Sequence, residues 1–247
     1  CNAGFSLYPD SLTRWSGNGG VNMVFIVLIT AGGLGFYVLN ECGTLIWNAL
    51  FNRNRRRRGK PQMSWHTAIV LKTSLVLVAA GTVVIFVAEG AAGNAPDNMF
   101  EHFLNALFQS VTCRTAGFNT VDIGGMTNVS LAFMMILMFI GGSPGSCAGG
   151  IKTTTFRALV GFVWAEFRGW DQVRIGRFAL DQKAMNKVVS LVTMSLLLVG
   201  VGTMILTSMA SGDNSYLMAR GEFIADMFES ISAFATVGLS TGMTPLL

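Results

Sequence analysis

Three short segments of the chain look alike, and each has a glycine at its centre. The glycines are Gly4, Gly117 and Gly238, which lie 113 and 121 residues apart. Glycine reaches backbone dihedrals that a Cβ atom would forbid, so such a segment can turn its carbonyl oxygens inward. Inward carbonyl oxygens can replace the hydration shell of a monovalent cation. We therefore predict a cation filter formed mostly by backbone carbonyls of these residues: Asn2, Ala3, Gly4, Phe5, Thr115, Ala116, Gly117, Phe118, Thr236, Val237, Gly238 and Leu239.

A fourth glycine-rich stretch is of a different kind, because it interrupts an apolar span. It holds five glycines and one proline in ten residues, which cannot form a regular helix. Broken helices at membrane depth mark ion pathways and moving parts. We therefore predict a gate formed by Gly141, Gly142, Ser143, Pro144, Gly145, Ser146, Cys147, Ala148, Gly149, Gly150 and the nearby Lys152.

Lys152 has two interpretations that the sequence leaves open. Its charge can act on the loop or the pore, or it can anchor the following helix at the membrane surface by snorkelling. A phosphate-binding loop is disfavoured, because Ile151 separates Gly150 from Lys152 and breaks the required order of residues.

Long stretches with little charge indicate the class of protein that positions these segments. Of the 247 residues, 51% are hydrophobic and 12% are charged, whereas a soluble domain carries about 25% charged residues. A membrane-spanning helix needs roughly 20 mostly apolar residues. Four stretches meet that need with at most one charge each: 21–40, 67–88, 123–151 and 188–212. The sequence therefore predicts an integral membrane protein.

Two predicted helices are too short to span the membrane. They cover about Phe100 to Thr112 and about Glu222 to Phe234, each just before a glycine segment. At roughly 1.5 Å per residue, each covers little more than half of the hydrocarbon core. The C-terminus of such a half-helix points the negative end of its dipole at a cation. The alternative is that the glycines are contacts between packed helices, but three similar copies favour a filter.

Every copy has the same predicted order of elements. A span, a half-helix and a glycine segment are followed by a second span that returns across the membrane. The first spans are predicted at His66 to Glu89 and Lys187 to Ala210, and the second spans at Val21 to Phe51 and Met126 to Phe167. The predicted fold is therefore all-α and integral to the membrane, with repeated span, re-entrant pore helix, filter loop and span units around a central pore.

The basic residues indicate the orientation. Of 17 Lys and Arg residues, 13 lie in residues 53–60 and 152–187. Loops rich in Lys and Arg face the cytoplasm, so we predict that both segments are cytoplasmic. The run Arg55 to Arg58 could instead contact nucleic acid, but its place between two apolar spans favours the topological role.

An enzyme is disfavoured by the distribution of reactive side chains. Glu41, Glu89, Glu101, Asp226 and Glu229 are scattered singly, with no nucleophile and base beside them. We predict no catalytic residue and no bound cofactor. A structural membrane scaffold is the other alternative, but it would not need three units of loop and half-helix.

The glycine segments and the interrupted span resemble those of the Trk/Ktr/HKT potassium transporters. The filter-like segments are residues 2–6, 115–120 and 236–245, and residues 141–155 look like the gating loop of that family. The resemblance covers essentially the whole chain, and its motifs favour the bacterial Trk/Ktr branch. It implies potassium uptake across the bacterial inner membrane. It also places Arg114 and Asp122 beside the middle filter near the outer mouth, in structural roles.

The resemblance also implies how the chain is divided. In that family one polypeptide holds four repeats around a single pore. Residues 1–60 are then the filter and second span of repeat 2, and residues 61–181 are repeat 3 with its interrupted second span. Residues 182–247 are the first span, pore helix and filter of repeat 4. We expect the first repeat and the final span to be missing.

The partners expected from the resemblance are membrane lipid, a second copy of the protein and a cytoplasmic nucleotide-binding regulatory subunit of the RCK type. No nucleic acid partner is expected. Potassium is the expected transported ion, and Na⁺ or H⁺ is the candidate coupling ion. A sodium-permeable or weakly selective transporter of the same fold stays open as the alternative, as does the choice between channel and symporter.

Overall fold

The chain folds almost entirely into helices. The computed structural model describes residues 4, 6–8, 10–51, 63–170, 172–175, 178–210 and 221–242. A short 3₁₀ helix, Thr13–Trp15, and an antiparallel hairpin of β1 (Arg174–Ile175) and β2 (Phe178–Ala179) accompany the helices. The α-helices are α1 (Gly19–Leu34), α2 (Phe36–Phe51), α3 (Trp65–Ala92), α4 (Met99–Thr112), α5 (Asn128–Phe139), α6 (Thr153–Arg168), α7 (Gln182–Ala210) and α8 (Glu222–Phe234).

Local capping explains where several helices begin and end. The side chains of Asn18, Ser64, Asn98 and Thr127 each accept a hydrogen bond from a backbone N–H in the first turn of α1, α3, α4 and α5. Gly93, with φ of 76°, ends α3 in the left-handed conformation that glycine adopts readily. The half-helices α4 and α8 lie where the sequence predicted them, and Asn98 caps the first of the two.

Among the described residues, two helices, α3 and α7, are long and apolar enough to cross a membrane, and the bent pair α1 and α2 would make a third span if it counts as one. The residues of the span predicted from Val21 to Phe51 form two helices rather than one. The helix breaks at Gly35, whose φ is 82°, and α2 leaves α1 at an angle of 113°. A positive φ cannot be accommodated inside an α-helix, so Gly35 ends α1 and redirects the chain.

The helices pack in a pattern that repeats. Helix α3 packs on the half-helix α4, and α7 packs on α8 in the same way. The half-helices also contact a span from the preceding unit, since α1 packs on α4 and α5 packs on α8. Phe108 and Phe228, one on each half-helix, are both fully buried. The two half-helices are therefore held between spans of successive units.

The span formed by α5 and α6 is interrupted where the glycine-rich loop was predicted. Ile140 and Ile151 lie side by side in a parallel bridge. The backbone N–H of Ile151 donates to the carbonyl of Phe139 at 3.0 Å, and that of Thr153 donates to Gly142 at 3.1 Å. The loop therefore leaves the span and rejoins it at almost the same place, closed at its neck by main-chain hydrogen bonds.

Candidate ion pathway

The glycine segments share an unusual backbone. Gly4, Gly117 and Gly238 have φ values of 63°, 79° and 86°. The residue two positions earlier is also left-handed in both complete copies, with φ of 71° at Thr115 and 54° at Thr236. A β-branched residue at positive φ is a genuine outlier and persists only where its surroundings hold it. Because left-handed residues alternate with residues of negative φ, successive carbonyls turn toward the same side rather than to opposite sides as in a strand.

The half-helices hold these segments with side-chain hydroxyls. Thr112, at the end of α4, donates from Oγ1 to the carbonyl of Phe118 at 2.6 Å. Ser232, near the end of α8, donates from Oγ to the carbonyl of Leu239 at 2.7 Å. Ser232 Oγ also accepts from the N–H of Gly238 at 3.2 Å. Each hydroxyl thus ties the residue after the central glycine back to its half-helix.

A second pair of hydroxyls ties the half-helices to the long spans. Ser110 Oγ donates to the carbonyl of Val78 on α3 at 2.8 Å, and Ser230 Oγ donates to the carbonyl of Val199 on α7 at 3.2 Å. Glycine lies opposite each hydroxyl, and a Cβ atom on Gly202 would lie 2.8 Å from Ser230 Oγ. Small residues at these crossings let span and half-helix approach closely.

The three segments converge although they are far apart in sequence. A Cβ atom built on Gly4 would lie 2.8 Å from the carbonyl oxygen of Ala116 and from the Cα of Gly117. A Cβ atom on Gly117 would overlap the carbonyl oxygen of Val237. The backbones of the three predicted filter segments therefore meet at one place. Asn2, Ala3 and Phe5 belong to the same prediction but lie outside the described residues.

The glycine-rich loop lies at the half-helix end of the converging segments. A Cβ atom on Gly149 would lie 2.5 Å from Thr236 Oγ1 and 2.7 Å from the carbonyl carbon of Ala235. Gly141 lies against Gly149 at the neck of the loop. The contact with Thr236 places the loop next to the first residue of the last predicted filter segment.

Arg114 connects the middle segment to this loop. Its guanidinium is only 8% exposed, and Nη2 donates to the carbonyl of Gly141 at 3.4 Å. Arg114 and Asp122 were predicted together near the outer mouth, but the structure separates them. Arg114 directly follows α4 at the end of the glycine segment nearest the loop, whereas Asp122 is exposed at the other end.

The loop also docks on the break between α1 and α2, which the sequence analysis missed. The N–H of Ser143 donates to the carbonyl of Gly33 at 3.0 Å, and the N–H of Phe36 donates to the carbonyl of Gly145 at 3.3 Å. A Cβ atom on Gly35 would lie 2.6 Å from the carbonyl oxygen of Pro144. The available signal was three glycines among residues 32–35, inside an apolar stretch that was interpreted as continuous helix.

All 247 residues match a family model described as TrkH, a cation transport protein. The chain belongs to the TrkH family. It is 36% identical to the Ktr system potassium uptake protein B of Bacillus subtilis (strain 168), covering 100% of this chain and 51% of that protein. It is 34% identical to the potassium/sodium uptake protein NtpJ of Enterococcus hirae, covering 99% of this chain and 51% of that protein.

A solved structure shows the same fold. The potassium transporter TrkH from Vibrio parahaemolyticus matches with a TM-score of 0.64 at 17% identity, covering 99% of this chain and 55% of that one. The chain thus spans about half the length of the TrkH-family proteins it matches. Membership in this family, whose model is described as a cation transport protein, agrees with the predicted integral membrane fold.

Lys152 of this TrkH-family chain is turned back onto the loop. Its Nζ donates to the carbonyl of Ala148, and its side chain is half-buried. Ser146 Oγ donates to the carbonyl of Ser143 at 2.6 Å, so hydrogen bonds inside the loop also define its shape. In the described part of the chain, no group of three or more His, Cys, Asp or Glu residues could hold a metal ion.

Proposed function

We propose that this protein moves potassium ions across the cell membrane through a filter made of backbone carbonyls. The observation that carries the proposal is the convergence of Gly4, Gly117 and Val237, because a ring of carbonyls requires separate segments to meet around one axis. The alternating left-handed residues support it, since they turn neighbouring carbonyls to one side. The first relatives named above are potassium or potassium/sodium uptake proteins.

The electrostatics favour a weakly hydrated monovalent cation. A carbonyl ring carries partial negative charge without a formal anion, so it can replace water around potassium and still release the ion. The half-helices add to this effect, because the negative ends of their dipoles point toward the segments that follow them. α4 has an acidic residue in its first turn and no basic residue in its last, and the nearest cation beyond its end, Arg114, is turned toward the carbonyl of Gly141.

We propose that residues 141–150 form the gate. The loop contacts the filter at Thr236 and the α1–α2 break at Gly33 and Phe36. These attachments are mostly main-chain hydrogen bonds, each with a net value of about 1 kcal/mol. A difference of a few kcal/mol between closed and open loop is within reach of a bound regulator.

The α1–α2 break gives such a regulator a route to the gate. α2 ends at Phe51 and leads into the basic segment 53–60, which is predicted to be cytoplasmic but lies outside the described residues. A movement of α2 about Gly35 would act on the hydrogen bonds that hold Ser143 and Gly145. A regulatory subunit of the RCK type, a second copy of the chain, and Na⁺ or H⁺ as coupling ion complete the proposal.

Sodium permeation is the second candidate. The Enterococcus hirae relative is named as a potassium/sodium uptake protein. The sequence contains three of the four filter segments that the proposed ring needs, and the fourth segment bears on the choice between the ions. Measuring potassium and sodium flux with both ions present distinguishes potassium-selective transport from sodium permeation.

The test is ion flux into liposomes that contain the full-length protein. Potassium flux that exceeds sodium flux is the expected result, and a deletion of Ser143–Cys147 should raise flux and reduce its dependence on the regulatory subunit. Equal flux of both ions would favour the second candidate. Equal and unregulated flux in wild type and deletion, with intact fold, would show that the loop is not the gate.

A further inference from the structure

The last filter segment is held at its outer end by a carboxylate on its own half-helix. Glu229 Oε1 accepts hydrogen bonds from Ser240 Oγ at 2.6 Å, from the N–H of Thr241 at 2.9 Å and from Thr241 Oγ1 at 3.3 Å. The carboxylate is half-buried behind the segment. Hydrogen bonds to an ionised acceptor are stronger than those between neutral groups, so this contact fixes the segment firmly.

The middle segment lacks that contact. Gln109 occupies the corresponding position on α4, one residue after the buried Phe108, as Glu229 follows Phe228 on α8. Gln109 is fully buried, yet neither atom of its amide has a hydrogen-bond partner among the described residues. It lines a cavity of about 260 Å³ behind the middle segment instead.

A neighbouring loop holds the outer end of the middle segment. The N–H of Asn119 donates to Ser11 Oγ at 3.2 Å, and the N–H of Leu12 donates to the carbonyl of Asn119 at 3.0 Å. Ser11 and Leu12 belong to the loop that follows the first glycine segment. The loop of one repeat therefore supports the filter of the next.

The loop that follows the middle glycine segment also reaches the last segment, but it has a glycine where the first loop has the hydroxyl of Ser11. Gly124 follows Gly117 by the same seven residues that separate Ser11 from Gly4. A Cβ atom on Gly124 would lie 2.8 Å from the carbonyl oxygen of Thr241, so the loop approaches closely without a side chain. Glu229 supplies the acceptor that Ser11 supplies in the neighbouring repeat.

We propose that Glu229 is a positioning residue for ion selection, which acts by fixing the outer end of the segment Thr236–Thr241. The inference rests on the proposed function. Ser232 holds Gly238 and Leu239, and Glu229 holds Ser240 and Thr241, so successive contacts tie the outer half of the segment to α8. Without Glu229 the outer end is free to relax, and a carbonyl ring that relaxes discriminates less between potassium and the smaller sodium ion.

The experiment compares Glu229→Ala and Glu229→Gln with a matched control, Glu222→Gln, in the full-length protein. Glu222 carries the same charge on the same helix, two turns away in its first turn. We expect Glu229→Ala to lower the ratio of potassium to sodium flux about tenfold, the effect of losing hydrogen bonds to a charged acceptor. Glu229→Gln keeps an acceptor oxygen and should recover part of the ratio, and Glu222→Gln should leave it unchanged.

Hydrogen exchange of the peptide that contains Thr241 gives a readout that does not depend on transport. Its amide should exchange faster in Glu229→Ala than in wild type. Unchanged exchange in a folded Glu229→Ala protein overturns the inference even if flux changes. If the Thr241 amide exchanges faster in Glu229→Ala but the ratio of potassium to sodium flux is unchanged, Glu229 does not contribute to ion selection. Absence of potassium-selective flux in wild type would instead contradict the proposed function.

Discussion

The filter segments and the gate loop are both glycine-rich and irregular, but they are held in different ways. Hydroxyl side chains of the preceding half-helix fix the filter, through Thr112 in one repeat and Ser232 in the next. The loop is held mainly by main-chain hydrogen bonds, at its own neck and from the α1–α2 break of another repeat. The proposed filter segments are thus fixed by side chains of the preceding half-helix, and the middle one also by the loop of the neighbouring repeat. A segment proposed to move is attached to a part of the chain that can move with it.

The largest effect should come from filling the place where the filter segments meet. Gly117→Ser adds a Cβ atom that overlaps the carbonyl oxygen of Val237, at a φ of 79° that disfavours any side chain. We expect the preference for potassium over sodium to fall about 100-fold, which corresponds to about 2.7 kcal/mol. Growth of a potassium-uptake-deficient strain at low potassium, together with flux in liposomes, measures the change.

Gly93→Ser is the matched control for that substitution. Gly93 has nearly the same φ, 76°, but nothing lies within 4 Å of the place where its Cβ atom would be. Backbone strain is therefore similar in both variants, and only Gly117 adds the overlap with Val237. If the two variants lose selectivity equally, the close approach of the segments does not select the ion.

The next largest effect should come from the α1–α2 break at Gly35, which holds the glycine-rich loop. Gly35→Ala places a Cβ atom 2.6 Å from the carbonyl oxygen of Pro144 and strains the positive φ. We expect flux without the regulatory subunit to rise about tenfold, because the hydrogen bonds to Ser143 and Gly145 are lost. Gly33→Ala is the control, since its Cβ atom would meet nothing within 4 Å and its carbonyl stays available. If flux without the regulatory subunit stays at the wild-type level in Gly35→Ala, the break at Gly35 does not control the gate.

Sequence reasoning found the elements more easily than the contacts between repeats. The half-helices α4 and α8 follow from apolar pattern, length and capping residues close in sequence, such as Asn98. The break at Gly35 was missed because three glycines in an apolar stretch also suit close helix packing. The position of Arg114 against Gly141 depends on how deep α4 ends, and the chain gives no local signal of that depth.

A smaller effect is expected from the hydroxyls behind the filter. Thr112→Val keeps the shape of the side chain but removes the hydrogen bond to the carbonyl of Phe118. The loss of one such bond, about 1 kcal/mol, should lower the selectivity ratio about fivefold. Ser110→Ala removes a similar bond to Val78 on α3 and should reduce thermal stability without changing selectivity. Equal losses of selectivity would mean that general loosening of α4, and not the contact with the filter, matters.

The smallest effect should come from Lys152, which separates its two interpretations. Its Nζ donates to the carbonyl of Ala148 inside the loop, so Lys152→Met removes that bond while keeping the apolar stem. If the bond stabilises the closed loop, flux without the regulatory subunit should rise about twofold, and Lys152→Arg should restore it because the longer side chain still offers a donor. Lys183→Met, on the exposed first turn of α7, removes the same charge away from the loop and serves as the control. Should Lys152→Met instead lower the amount of inserted protein and leave flux per molecule unchanged, the residue anchors α6 at the membrane surface. The closed position of the loop would then be stabilised by the hydrogen bonds at its neck and at the α1–α2 break, without a contribution from Lys152.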